Sequence, residues 1–214
     1  MELKVISLYV FTIFSVLHII VLFFKMNPIQ AISKSILMPL LLIVYIFNAI
    51  NIHWSIILAL IFGCTGDIFL LKITNILRFR LGLACFLLGH LAYIIAFIDF
   101  AQPVNTKALA ISFIAALVFG FIMYKFVHPN REMKIPVIVY ETVITAMTVL
   151  SYQVFLNQRT PHGIFILIGS LLFLTSDSVL ARFTFVKQPK YGHFLVMITY
   201  IAAQFCIVFG FCRL

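Results

Sequence analysis

The chain has 214 residues, 64% hydrophobic and only 10% charged, with 15 Lys and Arg against 6 Asp and Glu for a formal charge of +9. Soluble domains average about 45–50% apolar and about 25% charged residues, so this composition excludes an ordinary water-soluble domain and marks a polytopic membrane protein. The basic excess calls for no nucleic acid, because charges this sparse, with no basic face interleaved with aromatics, read as loop charge set against anionic lipid.

Apolar runs of about 20 residues, bounded by Pro, Asn or charge, predict eight membrane-spanning helices. They lie at 3–24, 32–50, 54–71, 79–99, 107–127, 135–156, 163–181 and 193–212. The predicted fold class is all-α, a polytopic helix bundle forming one transmembrane domain over 1–214. The first run is too long for a signal-peptide core, and its exit through Lys25-Met26-Asn27-Pro28 lacks a small-residue cleavage site, so it is expected to remain as the first span. Breakers at Asn27-Pro28, Asn51, Gln102-Pro103, Pro129-Asn130, Pro161 and Pro189 fall between the runs. The short connections leave no room for a soluble domain. Cys64, Cys85, Cys206 and Cys212 all lie in apolar runs without CxxC spacing, which predicts buried thiols rather than a disulfide framework or a cysteine zinc site.

Basic residues distribute unevenly between alternate ends of the spans. One side carries Lys25, Lys34, Lys72, Arg78, Arg80, Lys125, Arg131, Lys134, Arg182, Lys187 and Lys190; the other carries Lys4, Lys107, Arg159 and Arg213. The positive-inside rule places the first set in the cytoplasm and both termini outside. Sliding the second half back by 110 residues lays Asp177 on Asp67, Leu180 on Leu70, Arg182 on Lys72 and Tyr200 on His90. This predicts a parallel internal repeat of four helices plus four, with halves at about 1–104 and 105–214.

Three of the acids, Asp67, Glu141 and Asp177, sit inside apolar runs. A carboxyl at such depth costs about 2.5–3.5 kcal/mol on insertion scales, so it is expected to face a polar cavity, a partner or a functional site. Each lies roughly 6–12 Å from the cytoplasmic end of its helix at the α-helical rise. Helices 3, 6 and 7 are therefore expected to converge on a cavity open to the cytoplasmic leaflet. His90 and Tyr93, three residues apart on one face of helix 4, are predicted to form its floor, with Gly82 and Gly89 allowing close helix packing. Tyr140 shares the level of Glu141. Lys34, Lys72 and Arg182 stand at the cytoplasmic rim, where they either contact a phosphate or snorkel to lipid head groups.

Two carboxyls in low dielectric need not both ionise, so one can donate a proton while the other accepts one. That is equipment for acid–base hydrolysis without a metal or cofactor. No GxSxG elbow, HExxH pair or phosphate-cradling glycine loop is present to support serine, zincin or P-loop chemistry.

The strings Gly66-Asp67-Ile68-Phe69-Leu70-Leu71 and Leu81-Gly82-Leu83-Ala84-Cys85-Phe86-Leu87-Leu88-Gly89-His90-Leu91-Ala92-Tyr93 resemble the central signature of the YhhN family, the lysoplasmalogenase-like membrane proteins. Lys34 with Met38-Pro39-Leu40, Tyr140 to Met147, and Gly169-Ser170-Leu171-Leu172-Phe173 through Ser176-Asp177 resemble further segments, so the likeness covers most of the chain. Ser35 departs from the proline that usually follows the lysine, and Glu141 lies outside the pattern. The resemblance implies an eight-helix enzyme that hydrolyses the vinyl ether bond of lysoplasmalogens, releasing a fatty aldehyde and glycerophosphoethanolamine or glycerophosphocholine; the short loops and the lack of organelle-sorting tails favour a bacterial inner membrane. The residues found above suit that reaction: Asp67, Asp177, His90 and Tyr93 are taken as the catalytic set and Lys34, Tyr140 and Glu141 as substrate-binding, the place of Glu141 resting only on its burial in an apolar run. Asp177 is read as the acid and Asp67 as the base, the reverse assignment also being consistent with the sequence.

Two other readings compete. A zinc-dependent membrane lipid hydrolase would draw on His18, His90 and His193, which are widely separated in the chain. A proton-coupled transporter would also carry intramembrane acids and repeats, but the paired Gly/Pro interruptions of a midplane carrier site are missing.

Overall fold

A computed structural model describes residues 2–24, 26–72, 75–186 and 192–214. Lys25, Lys187 and Lys190 of the basic set lie outside the described residues, as does the Lys72 side chain. Among the described residues the chain is all helical, with helices α1 (Glu2–Phe23), α2 (Asn27–Asn48), α3 (Trp54–Phe69), α4 (Ile76–Phe100), α5 (Thr106–Phe126), α6 (Lys134–Gln158), α7 (Pro161–Phe185) and α8 (Gly192–Phe211), and a 3-10 turn at Leu70–Lys72. Seven are long and apolar enough to cross a membrane. The exception is α3, whose 16 residues reach about 24 Å at 1.5 Å per residue, short of the roughly 30 Å hydrocarbon core.

The eight predicted runs correspond one to one to the eight helices, but α2, α4, α6 and α7 extend past the predicted ends. The last three carry Arg78, Lys134 and Arg182 in those added turns. Long cationic side chains reach water from within a terminal turn, so charge does not end a helix as proline does. Local signals set several ends. Asn105 caps α5 by accepting from the Ala108 amide at 3.1 Å, and Thr160 caps α7 by accepting from the Gly163 amide at 3.3 Å ahead of Pro161. Arg159, with φ 44°, closes α6 in the left-handed conformation.

The chain divides into two compact units, residues 1–96 with 211–214, and residues 97–210. In the first unit, α1 meets α2 through buried His18, whose Nδ1 lies 2.8 Å from Ser33 Oγ, and through the Asn48 amide, 3.3 Å from Ser7 Oγ. Pro39 lies inside α2 and has no N–H to offer the Ser35 carbonyl. That carbonyl accepts instead from the Cys64 thiol of α3 at 3.7 Å, which ties the two helices together next to Lys34. Small residues bring α3 and α4 into contact: a Cβ placed on Gly66 would fall 2.7 Å from the Phe86 ring, and one on Gly89 would lie 3.4 Å from the Ala59 carbonyl oxygen. The C-terminal residues close this unit, the Ile50 amide donating to the Cys212 carbonyl at 3.1 Å.

In the second unit α6 packs on α7, and α7 on α8. Gly169 makes the latter contact possible, since a Cβ there would stand 2.8 Å from both the Ala203 carbonyl oxygen and the Ile207 amide nitrogen. Ser176 of α7 donates to the Val196 carbonyl of α8 at 3.1 Å. Helix α5 is the most exposed element, with Ala108 its one buried residue and Ile111, Phe113, Ile114 and Leu117 on the outside. In water that surface would drive association, whereas in a bilayer it faces its own solvent.

Gly169→Ala forces backbone apart and is expected to cost about 1–3 kcal/mol, as overpacking does, read as a lower thermal midpoint in detergent. Gly120→Ala, whose Cβ meets nothing within 4 Å, is the control and is expected to keep or raise the midpoint.

Candidate functional site

The residues singled out in the sequence fall into both units, and each unit gathers its own carboxyl cluster. In the first, Lys34 of α2 reaches Asp67 of α3, with Nζ 3.1 Å from Oδ1 and side-chain exposures of 15% and 2%. The thiol contact between Cys64 and Ser35 lies one residue from Lys34 and three from Asp67, so the helix register that satisfies the proline-freed carbonyl also brings the ammonium to the carboxylate. Charges this deep persist when paired, since an isolated ion in an apolar interior is far costlier than the pair. Lys34, expected at the rim as a phosphate contact, is thus directed onto Asp67. His90 and Tyr93 are both buried in the same unit, just beyond the Gly89 contact between α4 and α3.

In the second unit the Tyr140 hydroxyl of α6 donates to Asp177 Oδ2 of α7, and both residues are buried. Asp177 follows wholly buried Ser176, whose bond to α8 fixes the rotation of α7 at that level. Glu141, one residue past Tyr140 and so about 100° around the helix, stays within electrostatic reach of Asp177. It lines a cleft of about 590 Å³ between α5 and α6, and its buried Oε2 has no hydrogen-bond partner. Arg182 donates to the Phe126 carbonyl at the end of α5 and stacks over the Phe126 ring. That use satisfies a helix-terminal carbonyl.

The two aspartates have chemically different neighbours. Asp67 lies against the Lys34 ammonium, while Asp177 accepts from the Tyr140 phenol. Among the described residues no three His, Cys, Asp or Glu side chains gather as a metal-ligand set. His18, one of the three histidines a zinc reading requires, has its Nδ1 bonded to Ser33. Neither pairing was evident from the sequence, because Lys34 and Asp67, like Tyr140 and Asp177, are more than thirty positions apart. The available signal was their common depth in neighbouring helices. The Pro39 interruption of α2, with its consequence for Cys64, was not identified as part of the site.

The YhhN family profile matches residues 29–211. The human lysoplasmalogenase TMEM86B is 32% identical over 132 residues, covering 62% of this chain and 53% of that protein. Lysoplasmalogenases of Mycobacterium bovis and Mycobacterium tuberculosis are each 28% identical over 157 residues, covering 72% of this chain and 58% of theirs. The chain therefore spans little more than half the length of these curated relatives. No solved structure matches.

Lys34→Met strands a buried carboxylate and is expected to destabilise the protein by about 3–5 kcal/mol. Adding Asp67→Leu to it is expected to restore most of the lost thermal midpoint, since an apolar pair replaces the ion pair. A double variant no better than the single one would mean that the pair does not hold α2 to α3.

Proposed function

The chain belongs to the YhhN family, and from that premise we propose that it is a membrane-embedded lysoplasmalogenase acting by carboxyl acid–base catalysis, without a cofactor. It hydrolyses the vinyl ether bond of a lysoplasmalogen to a fatty aldehyde and glycerophosphoethanolamine or glycerophosphocholine. The lysoplasmalogenases it resembles support the substrate class. The observation that carries the mechanism is the chemical asymmetry of two buried aspartates, one paired to an ammonium and one bonded by a phenol. A multi-pass protein of this kind meets its substrate in the bilayer, which we take to be a bacterial inner membrane.

In the proposed sequence Asp177 gives its proton to the β-carbon of the vinyl ether, leaving an oxocarbenium ion. Asp67, kept ionised by Lys34, stabilises that cation and takes a proton from water as its oxygen adds to the α-carbon. The hemiacetal then collapses: Asp67 protonates the departing glycerol oxygen, and the hemiacetal hydroxyl proton returns to Asp177. Both carboxyls end as they began, and the net change is addition of one water. Tyr140 positions Asp177, His90 and Tyr93 are positioning residues for Asp67, and Glu141 contacts substrate. General acid–base catalysis of this sort contributes about 10²–10⁴-fold.

Purified protein in detergent is expected to release aldehyde from a lysoplasmalogen but nothing from an ester-linked lysophospholipid, with no effect of a chelator. Asp67→Asn and Asp177→Asn are each expected to lose about 100-fold or more in kcat, and Tyr140→Phe less, at unchanged expression in the membrane. Full turnover in both aspartate variants would overturn the mechanism, and loss of activity to chelator would favour a metal hydrolase.

A further inference from the structure

The cleft between α5 and α6 has three features stacked along its length. Its deep end, toward Leu109 and Leu150, is lined by apolar side chains, and its outer wall is the lipid-exposed α5, so in a bilayer the cleft is filled by hydrocarbon. At the level of Glu141 it holds one unmet polar atom. The hydroxyls of the lining residues Thr142 and Thr145 are spent on the carbonyls of Ile138 and Glu141, whereas Glu141 Oε2 is buried with no hydrogen-bond partner. At its mouth are two exposed cations on lining aromatic rings. Lys125 stands 5.0 Å from the centre of the Phe121 ring, and Lys134 donates to the Tyr124 hydroxyl at 3.3 Å. Glu141 lies seven residues into α6 from Lys134, about 10 Å deeper, a gap that flexible lysine stems shorten.

Cation, hydrogen-bond acceptor and hydrocarbon channel, in that order, complement one kind of amphiphile: an anionic phosphate, a free hydroxyl and a single chain. We infer that the α5–α6 cleft is the binding site for a single-chain lysophospholipid, with Glu141 accepting a hydrogen bond from the free glycerol hydroxyl and Lys125 and Lys134 meeting the phosphate. The inference rests on the lysoplasmalogenase reading for the lipid's role as substrate, and it adds the source of selectivity for lyso over two-chain lipids. A lipid acylated at that hydroxyl has no proton to donate and brings a second chain, so it leaves the Glu141 oxygen unpaired. Sites built around a substrate hydroxyl discriminate strongly against analogues lacking it.

The test uses a saturated alkyl-ether lysophospholipid bearing a diazirine in its chain, which the protein cannot hydrolyse. It is photolysed with purified protein and the labelled peptides are mapped by mass spectrometry. Label is expected on the α5 and α6 segments that line the cleft, competed about 10- to 100-fold better by unlabelled alkyl-ether lysophospholipid than by its 2-acyl counterpart. Glu141→Leu is expected to abolish that difference, while Glu141→Gln, which retains an acceptor oxygen, keeps most of it. Gly120→Leu fills the cleft from a position where an added Cβ meets no atom within 4 Å, so labelling is expected to fall at an unchanged thermal midpoint. Label outside α5 and α6, or equal competition by the two lipids in the wild type, would overturn the inference. Labelling as expected with no aldehyde from any vinyl ether lipid would retain the binding site and defeat the hydrolase reading. Aldehyde release with label elsewhere would do the reverse.

Discussion

A carboxylate inside an apolar helix has to be met by something, and in this chain the Lys34–Asp67 ion pair meets that requirement most directly. Asp67 is almost fully buried and Lys34 largely so, and the pair exists because α2 and α3 hold it together. The helices in turn are held by a consequence of Pro39: the carbonyl it leaves without an amide is taken by the Cys64 thiol. One backbone irregularity therefore sets a helix contact, and the helix contact sets a charge pair. The same logic operates with weaker chemistry in the second unit, where the Tyr140 phenol supplies what Asp177 needs and the Ser176 bond to α8 holds the helix in register.

Different partners give identical side chains different capacities. A carboxylate beside an ammonium is a poor base toward free water, but water adding to an oxocarbenium ion becomes an acidic oxonium that gives up its proton readily. In the proposed mechanism the carboxyl beside the phenol is the one that carries a proton to carbon. Division of labour between two acids by environment is a general device of acid–base hydrolysis. In the proposed mechanism it rests on helices that present one acid to a cation and the other to a neutral donor. Glu141 lines the apolar cleft between α5 and α6 while staying within electrostatic reach of Asp177.

Much of the fold was legible in the sequence because hydrophobic length is a strong constraint in lipid: every predicted run became a helix. Helix ends were less legible. Arg78, Lys134 and Arg182 sit in helical turns that the charge pattern had cut off, since their stems carry the charge outward. The short span of α3, which finishes in a 3-10 turn after Phe69, is a second departure; Gly66 and Gly82 lie where α3, that turn and α4 pack closely. At the site, the rarity of acids in apolar runs identified Asp67, Glu141 and Asp177 individually. What they bond to depends on which helices are neighbours and on their rotation, which no local pattern in one helix encodes. Lys34 illustrates this: its position near a helix end suggested a rim phosphate contact, and only the packing of α2 on α3 reveals the carboxylate beside it.

The claim on which the mechanism stands is that the two aspartates differ in protonation, Asp177 carrying the proton and Asp67 the charge. Infrared difference spectroscopy of the protein in lipid at neutral pH tests it most directly, comparing the wild type with Asp177→Asn and with Asp67→Asn in the carbonyl-stretch region of protonated carboxyls. The expected result is a protonated-carboxyl band that disappears in Asp177→Asn and survives in Asp67→Asn. A band that survives in Asp177→Asn and disappears in Asp67→Asn would contradict the assignment of acid and base, and a spectrum unchanged by either substitution would contradict the asymmetry itself.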